Sequence, residues 1–183
     1  MKKFKALIPF LLILVLSTVH SIAQSQDKSF PSQFISVHFS PSGGCTQTIV
    51  DELKKAKSSI LMQAYSFTSA PIAKALLEAH KRGVKVEVIL DKSQLTEKYS
   101  SVTFLYNSGI PTRIDTAHAI AHNKIMIIDG ETVITGSFNF TKAAEEKNAE
   151  NLLVIRDKVL AVKYVENWKV HEAHSELYSG RGR

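Results

Sequence analysis

One cysteine, five prolines and eight glycines in 183 residues exclude several kinds of protein at once. A lone Cys45 cannot close an intrachain disulfide, so a disulfide scaffold is ruled out, and four-ligand cysteine zinc sites go with it. Glycine is too scarce for a fibrous chain, and neither a fixed-period repeat nor a low-complexity tract is present. A hydrophobic content of 44% with mixed charge excludes a disordered chain. What remains is a single domain, long enough to bury its own core.

Acidic residues are also missing from the first 23 positions, which carry Lys2, Lys3 and Lys5. The apolar run Ala6 to Leu16 follows, and Ser21-Ile22-Ala23 offers small residues at the −3 and −1 positions of a cleavage site. Residues 1–23 therefore read as a secretory leader, and an exported protein, periplasmic or secreted, is expected. The rival is an uncleaved membrane anchor within residues 6–23, but Ala6 to Val19 gives 14 residues where about 20 span a bilayer. Without the leader, 20 Lys+Arg face 17 Asp+Glu, so the formal charge of +6 falls to +3. That balance permits a nucleic-acid partner without arguing for one. Residues 24–33 are polar, contain a proline and read as a linker.

The mature chain alternates strand and helix patterns. Phe34 to Phe39 alternates and runs into a Ser-Pro-Ser-Gly-Gly turn. Ile49, Val50, Leu53 and Ala56 recur at helical spacing over Thr46 to Lys57. Ser59 to Phe67 reads as a strand. A helix follows, capped by Ser69, with Pro71 in its first turn, Ile72, Ala73, Leu76 and Leu77 as its buried stripe, and Gly83 as its stop. Val84 to Leu90 is a third strand, and Leu95 to Ser108 is expected to be helical. Three more strands are expected at Lys124 to Ile128, Thr132 to Thr135 and Asn151 to Ile155, then a last helix over Lys158 to His174. The expectation is one α/β domain over residues 34–176, a mixed β-sheet flanked by helices, with a basic tail at 177–183.

The chemistry concentrates in His122 to Asn139, HNKIMIIDGETVITGSFN. His122 and Lys124 are two apart at the start of an apolar strand, so both project to one face. Asp129-Gly130 makes a hairpin turn. The return strand ends at Gly136, where Ser137 and Asn139 are again two apart. A hairpin sets its strands side by side, so one surface displays an imidazole, an ammonium, a hydroxyl and an amide. Lysine anchors phosphate oxygens, serine and asparagine add hydrogen bonds, and an imidazole attacks phosphorus or moves a proton. With no carboxylate cluster in the stretch, the set reads as a site for a tetrahedral phosphate with no metal and no cofactor.

His122-x-Lys124, four residues, Asp129, six residues, then Gly136-Ser137-x-Asn139 resembles the HKD signature, HxK(x)4D(x)6GSxN, of the phospholipase D superfamily at every fixed position. Within that superfamily the chain is most similar to small secreted bacterial endonucleases of the Nuc type. The likeness extends over Phe34 to Trp168 and includes AYSFT at Ala64 to Thr68 and SFNFTKAAE at Ser137 to Glu145. The resemblance implies a phospholipase D-like fold and a metal-independent phosphodiesterase acting through a phosphohistidine. Superfamily members use two HKD motifs. His20, His38, His80, His118, His171 and His174 all lack a lysine two residues on. A single-motif chain is therefore expected to form a homodimer that shares one site between two copies of His122. The resemblance further implies that His122 is the catalytic nucleophile and acid, and that Lys124 and Asn139 hold the phosphate with Ser137 in support. Glu150 would orient an imidazole, its own subunit's or the partner's. Asp129 and Gly136 are read as structural.

Plainer readings cover the rest. His118 and His122 are four apart, a zinc spacing on a helix, but His122 begins a strand, and His118 is expected in a loop at the site rim. His171 and His174 are expected to be solvated on the terminal helix. The motif does not separate nucleic acid from lipid. The small chain, the nuclease-like flanks and the basic mature charge favour DNA or RNA, and a phospholipase D-type lipid hydrolase at a membrane surface is the alternative.

Overall fold

A computed structural model describes residues 35–180 of the chain. The expected leader and linker, Phe34 and Arg181 to Arg183 lie outside the described residues.

The elements run β1 (Ile35–Ser40), α1 (Cys45–Lys55), β2 (Ser59–Ala64), α2 (Ala70–Lys81), β3 (Lys85–Asp91), α3 (Val102–Asn107) and β4 (Thr112–Asp115). They continue with β5 (Lys124–Ile128), β6 (Thr132–Gly136), α4 (Lys142–Glu146), β7 (Glu150–Arg156), α5 (Lys158–His174) and β8 (Glu176–Leu177). All eight strands form one sheet in the order β1-β7-β6-β5-β2-β3-β4-β8. β2, β3 and β4 run parallel to one another, and β5 lies antiparallel to β2. The mixed sheet flanked by helices is the architecture expected from the sequence.

The central strand shows why the apolar pattern there is continuous. Every residue of β5 is buried, because both faces of the sheet are covered. Met126 and Ile128 join Ile49 and Leu53 of α1 and Ile72 and Leu76 of α2 in the larger core. Ile125 and Ile127 point the other way, to Ile89, Val133 and Trp168 beneath α5. The buried indole N–H of Trp168 donates to the Met62 carbonyl at 3.2 Å, so that burial leaves no orphan donor. Glu145 accepts from the backbone N–H groups of Gly44 (3.0 Å) and Thr46 (2.7 Å), a carboxylate placed where the first turn of α1 has unpaired donors.

Four expectations change. The helix expected over Leu95 to Ser108 is only a 3-10 turn at Lys92–Leu95 and the short α3. Side chains there compete for the backbone: Asp91 accepts from Ser93 N–H, and Ser100 Oγ accepts from Val102 N–H. β4 and β8 are additions, four and two residues long, too short to show periodicity. Folded chain also continues past residue 176, because Leu177 pairs with Arg113 and Tyr178 N–H donates to Thr112 O at 2.9 Å. Ser69 stands at the N-cap of α2, but its side chain makes no capping bond.

The β5–β6 hairpin turns on Asp129 (φ 54°) and Gly130 (φ 66°), the pair of positive φ values of a type I′ turn. Asp129 also ties that turn to the start of β2. Its carboxylate accepts from the N–H groups of Lys57 (3.0 Å), Ser58 (2.7 Å) and Ser59 (3.0 Å), and from Ser58 Oγ (2.9 Å). Burial pushes its pKa up, but these bonds outweigh that and hold it below the usual carboxylate value. A depressed folded-state pKa adds stability above the unfolded value near 4, and that stability is lost as pH falls through the folded value. Asp129→Asn keeps the turn-compatible side chain and should cost about 1 kcal/mol at pH 7, a fall of about 2–4 °C in Tm. Thermal unfolding of both proteins from pH 7 to pH 2.5 should show the gap closing below about pH 4. A gap independent of pH would remove the charge from this account.

Candidate active site

His122, Lys124, Ser137 and Asn139 gather at one end of the sheet, where β2 ends, β5 begins, β6 ends and β7 begins. Lys124 lies level with Ala64 of β2 on the same face as Met126 and Ile128, at the rim of the larger core. It is 7% exposed. Its ammonium donates to the His122 carbonyl at 2.8 Å and lies 5.1 Å from the centre of the Tyr65 ring. Burial pushes the Lys124 pKa down, and the negative charge of Glu150 partly restores it. A scarcely hydrated cation of this kind binds an anion more strongly than a surface lysine does.

His122 sits just outside β5 with its ring exposed. The ring packs on Tyr65 with centroids 4.6 Å apart at 53°. Tyr65 is held in turn by its N–H, which donates to Asn123 O at 2.8 Å. Tyr65 thus touches both the imidazole and the ammonium. It went unrecognised as a site residue in the sequence, although AYSFT is one of the segments that carry the resemblance.

The second arm depends on burial. Phe138 and Phe140 are fully buried in the larger core and alternate with Ser137, which is exposed, and Asn139, which is half-buried. Phe140 stacks edge-on against Phe67, and Phe140 O accepts from the N–H groups of Thr68 and Ser69, both at 3.0 Å. The phenylalanines are anchors that thrust the polar pair outward. Asn139 Oδ1 is buried without a partner among the described residues. A buried amide oxygen left unpaired calls for a donor, and the NH2 of the same amide is the part that can donate to a phosphate oxygen. Ser137 Oγ accepts from Asn151 N–H at 3.1 Å and Asn151 Nδ2 at 3.3 Å, which leaves its own proton free to donate. Glu150 is half-buried and accepts from Asn148 Nδ2 at 3.1 Å rather than from His122. Asp129 lies at the far end of the hairpin from His122 and Lys124, where its carboxylate ties the turn to the start of β2.

Gly136 has a steric reason. A Cβ there would lie 2.3 Å from Asn151 O and 2.9 Å from Asn151 Oδ1, and its φ is 146°. Asn151 O is also the acceptor for the N–H groups of Ser137 and Phe138. Only glycine lets β6 approach β7 closely enough for that bonding.

A second group of side chains changes the reading of three histidines. His118 lies in an exposed loop as expected, but it is not separate from the two helix histidines, His171 and His174. They converge on Asp115, whose side chain is fully buried. Burial pushes the Asp115 pKa up, but hydrogen bonds from His171, His118 and His174 outweigh it and hold the carboxylate well below its usual range. The signal was two pairs spaced by three, Asp115-x-x-His118 and His171-x-x-His174, but only the fold joins them.

Residues 49–170 match the model of the family described as Cardiolipin synthase, PLD-like domain. The chain is 47% identical over 144 residues to Phospholipase D from Rickettsia typhi, covering 79% of this chain and 71% of that protein. It is 32% identical over 117 residues to Mitochondrial cardiolipin hydrolase from Xenopus tropicalis, 64% of this chain and 56% of that one. Among solved structures it is similar to Nuc from Salmonella typhimurium, a phospholipase D family member. That match has a TM-score of 0.76 at 43% identity and covers 79% of this chain and 97% of Nuc.

Gly136→Ala should destabilise the domain by about 2–4 kcal/mol, since both φ and the Asn151 backbone oppose a side chain. Urea unfolding measures it. A wild-type midpoint would mean that β7 yields freely.

Proposed function

The chain belongs to the phospholipase D superfamily and is a hydrolase of phosphodiester bonds, and from that premise we propose that it is a metal-independent endonuclease of low sequence specificity. The observation that carries the proposal is the pairing of an exposed imidazole, His122, with a desolvated ammonium, Lys124, on one face. The proposed first step forms a bond between phosphorus and a His122 nitrogen as the bond to the leaving oxygen breaks. The His122 of a second copy supplies the proton to that oxygen. That imidazole then takes a proton from water, which attacks phosphorus, breaks the P–N bond and regenerates the enzyme. Lys124 and Asn139 stabilise the non-bridging oxygens, and Ser137 donates in support. Glu150, which has no bond to His122 within its own chain, is assigned to orient an imidazole in the assembled site.

Nucleic acid, DNA or RNA, is the preferred substrate because the likeness to Nuc spans almost that whole chain and the mature sequence is net basic. A phosphate-reading site without a base-reading element implies little sequence preference. The leader pattern of residues 1–23 supports an exported protein, periplasmic or secreted. No helix of the described residues is long and apolar enough to cross a membrane. The lipid reading has its own support, since relatives of high identity are named as lipid phosphodiesterases.

The homodimer has a candidate face. β1 is an edge strand whose Ile35, Val37 and Phe39 share one side and are 43%, 51% and 62% exposed. Phe39 is paired with Asn151, which bonds Ser137, so the apolar stripe borders the site. A second copy docked there would cover the stripe and bring a second His122 near.

Cleavage of labelled single- and double-stranded DNA in excess EDTA, beside a fluorescent phospholipid, tests the substrate. DNA cutting should persist with the lipid intact, and the reverse result would install the lipid reading. His122→Ala should lower cleavage at least about 1,000-fold. DNA binding by that variant should remain, and should weaken steeply with salt. Val37→Glu combined with Phe39→Glu should give monomers by sedimentation and lower cleavage at least about 100-fold. Monomers that cut at the wild-type rate would refute the shared site.

A further inference from the structure

Away from the reactive residues, four side chains meet at the end of β4. We propose that Asp115, His118, His171 and His174 form a structural site for one divalent transition-metal ion of the zinc class. Asp115 Oδ2 lies 3.0 Å from His118 Nδ1, 2.9 Å from His171 Nδ1 and 3.3 Å from His174 Nε2. The four ligand atoms all lie within 4.8 Å of one another. Ligands of a tetrahedral zinc ion at about 2.0–2.1 Å stand about 3.3 Å apart, so the edges from the carboxylate already have that length. The longest edge, up to 4.8 Å, closes by up to about 1.5 Å when the ion binds, and His118, with a side chain 45% exposed, has room to move.

The carboxylate gathers all three rings. His171 Nδ1 and His174 Nε2 face Oδ2, His118 Nδ1 is shared between Oδ2 at 3.0 Å and Oδ1 at 3.1 Å, and Oδ1 also accepts from the N–H of Ala117 at 3.1 Å, which fixes the plane of the carboxylate. The three rings crowd together with centroids 4.9, 5.0 and 5.2 Å apart. One cation among them would accept a lone pair from each neutral imidazole and from the carboxylate, and the Ala117 bond would serve as the outer support that orients such ligands. The surroundings also favour positive charge. His171 and His174 lie in the last turn of α5, where the helix presents its carbonyl end.

Three imidazoles and a carboxylate make a complete four-ligand set with no open position, so the ion is structural and takes no part in phosphodiester chemistry. It joins residues 115 and 118 to the end of α5, across more than fifty residues of chain. The segment it pins, Thr116 to Asn123, ends beside the imidazole of His122. That segment is also tethered by Lys92 Nζ to His118 O at 2.8 Å, Ala121 N–H to Asp91 Oδ2 at 2.7 Å, Tyr65 N–H to Asn123 O at 2.8 Å and Lys124 Nζ to His122 O at 2.8 Å. The ion would add a tether at its start.

The test uses the untagged full chain, stripped with chelator and titrated with zinc sulfate by calorimetry and with cobalt chloride by visible absorption. One ion per protomer is expected, with the cobalt d–d bands of a four-coordinate site. A hundredfold excess over Kd should raise Tm by about 5–10 °C. His118→Ala and His171→Ala should each weaken binding at least about 100-fold, while His122→Ala leaves it unchanged. Should His171→Ala fail to fold by circular dichroism, His118→Ala decides, since its side chain is half in solvent. The proposal is overturned if the wild type binds no zinc, if binding survives His118→Ala, or if it is lost in His122→Ala. None of these readouts depends on phosphodiester cleavage, so the site and the proposed activity stand or fall separately.

Discussion

The ammonium of Lys124, almost without water and bonded to the carbonyl of His122, sets the terms for the rest of the structure. A charge at that depth is tolerable only if the strand bearing it is held from both sides and the groups around it are polar and fixed. The sheet order answers the first need by placing β5 in the interior, between β6 and β2. Ile125 and Ile127 on one face and Met126 and Ile128 on the other then leave the strand no alternative register, because a one-residue slip would exchange the two cores. Tyr65, Ser137, Asn139 and Glu150 answer the second need from neighbouring strand ends. The site follows from burying one lysine at the rim of a doubly covered strand.

The same logic explains how the motif divides its labour. Its six fixed residues are two kinds of thing. Four are presented by strand alternation, His122 with Lys124 and Ser137 with Asn139, each pair with an apolar or amide neighbour between. The other two carry no chemistry at the site. Asp129 stitches the turn to the entry of β2, and Gly136 allows β6 and β7 to share the Asn151 carbonyl. The anchors that aim the second pair, Phe138 and Phe140, sit between and beyond it and belong wholly to the core.

Legibility in the sequence follows the range of the interactions. α5 is read with its observed ends because Leu160, Tyr164 and Trp168 recur four apart along it, a local pattern. β5 and β6 are read for the same reason, and the Asp-Gly turn fixes their partnership. β8 is invisible, since two residues gain strand character only by meeting Arg113 and Ile114 of β4. Tyr65 is a site residue only because β2 pairs with β5, a contact between segments far apart in the chain. The histidines mislead in the most instructive way. Each of His118, His171 and His174 has a plain local reading, and although Asp115 is three residues from His118, nothing near His171 or His174 in sequence names it as the meeting point.

Stability and reactivity are thereby assigned to opposite ends of one short connector. Thr116 to Asn123 leaves the Asp115 cluster and arrives at His122, so the imidazole's position depends on both ends. At the reactive end the constraint is Tyr65 against the ring and Lys124 against the carbonyl. At the other it is a carboxylate ringed by three imidazoles. For an imidazole proposed to meet phosphorus in line such double fixation is a gain, because a misplacement of about 1 Å costs roughly a hundredfold in rate. An ion at the far end would therefore matter to the reaction through geometry alone. It would hold the connector at its origin while the charge proposed to meet the phosphate remains that of Lys124.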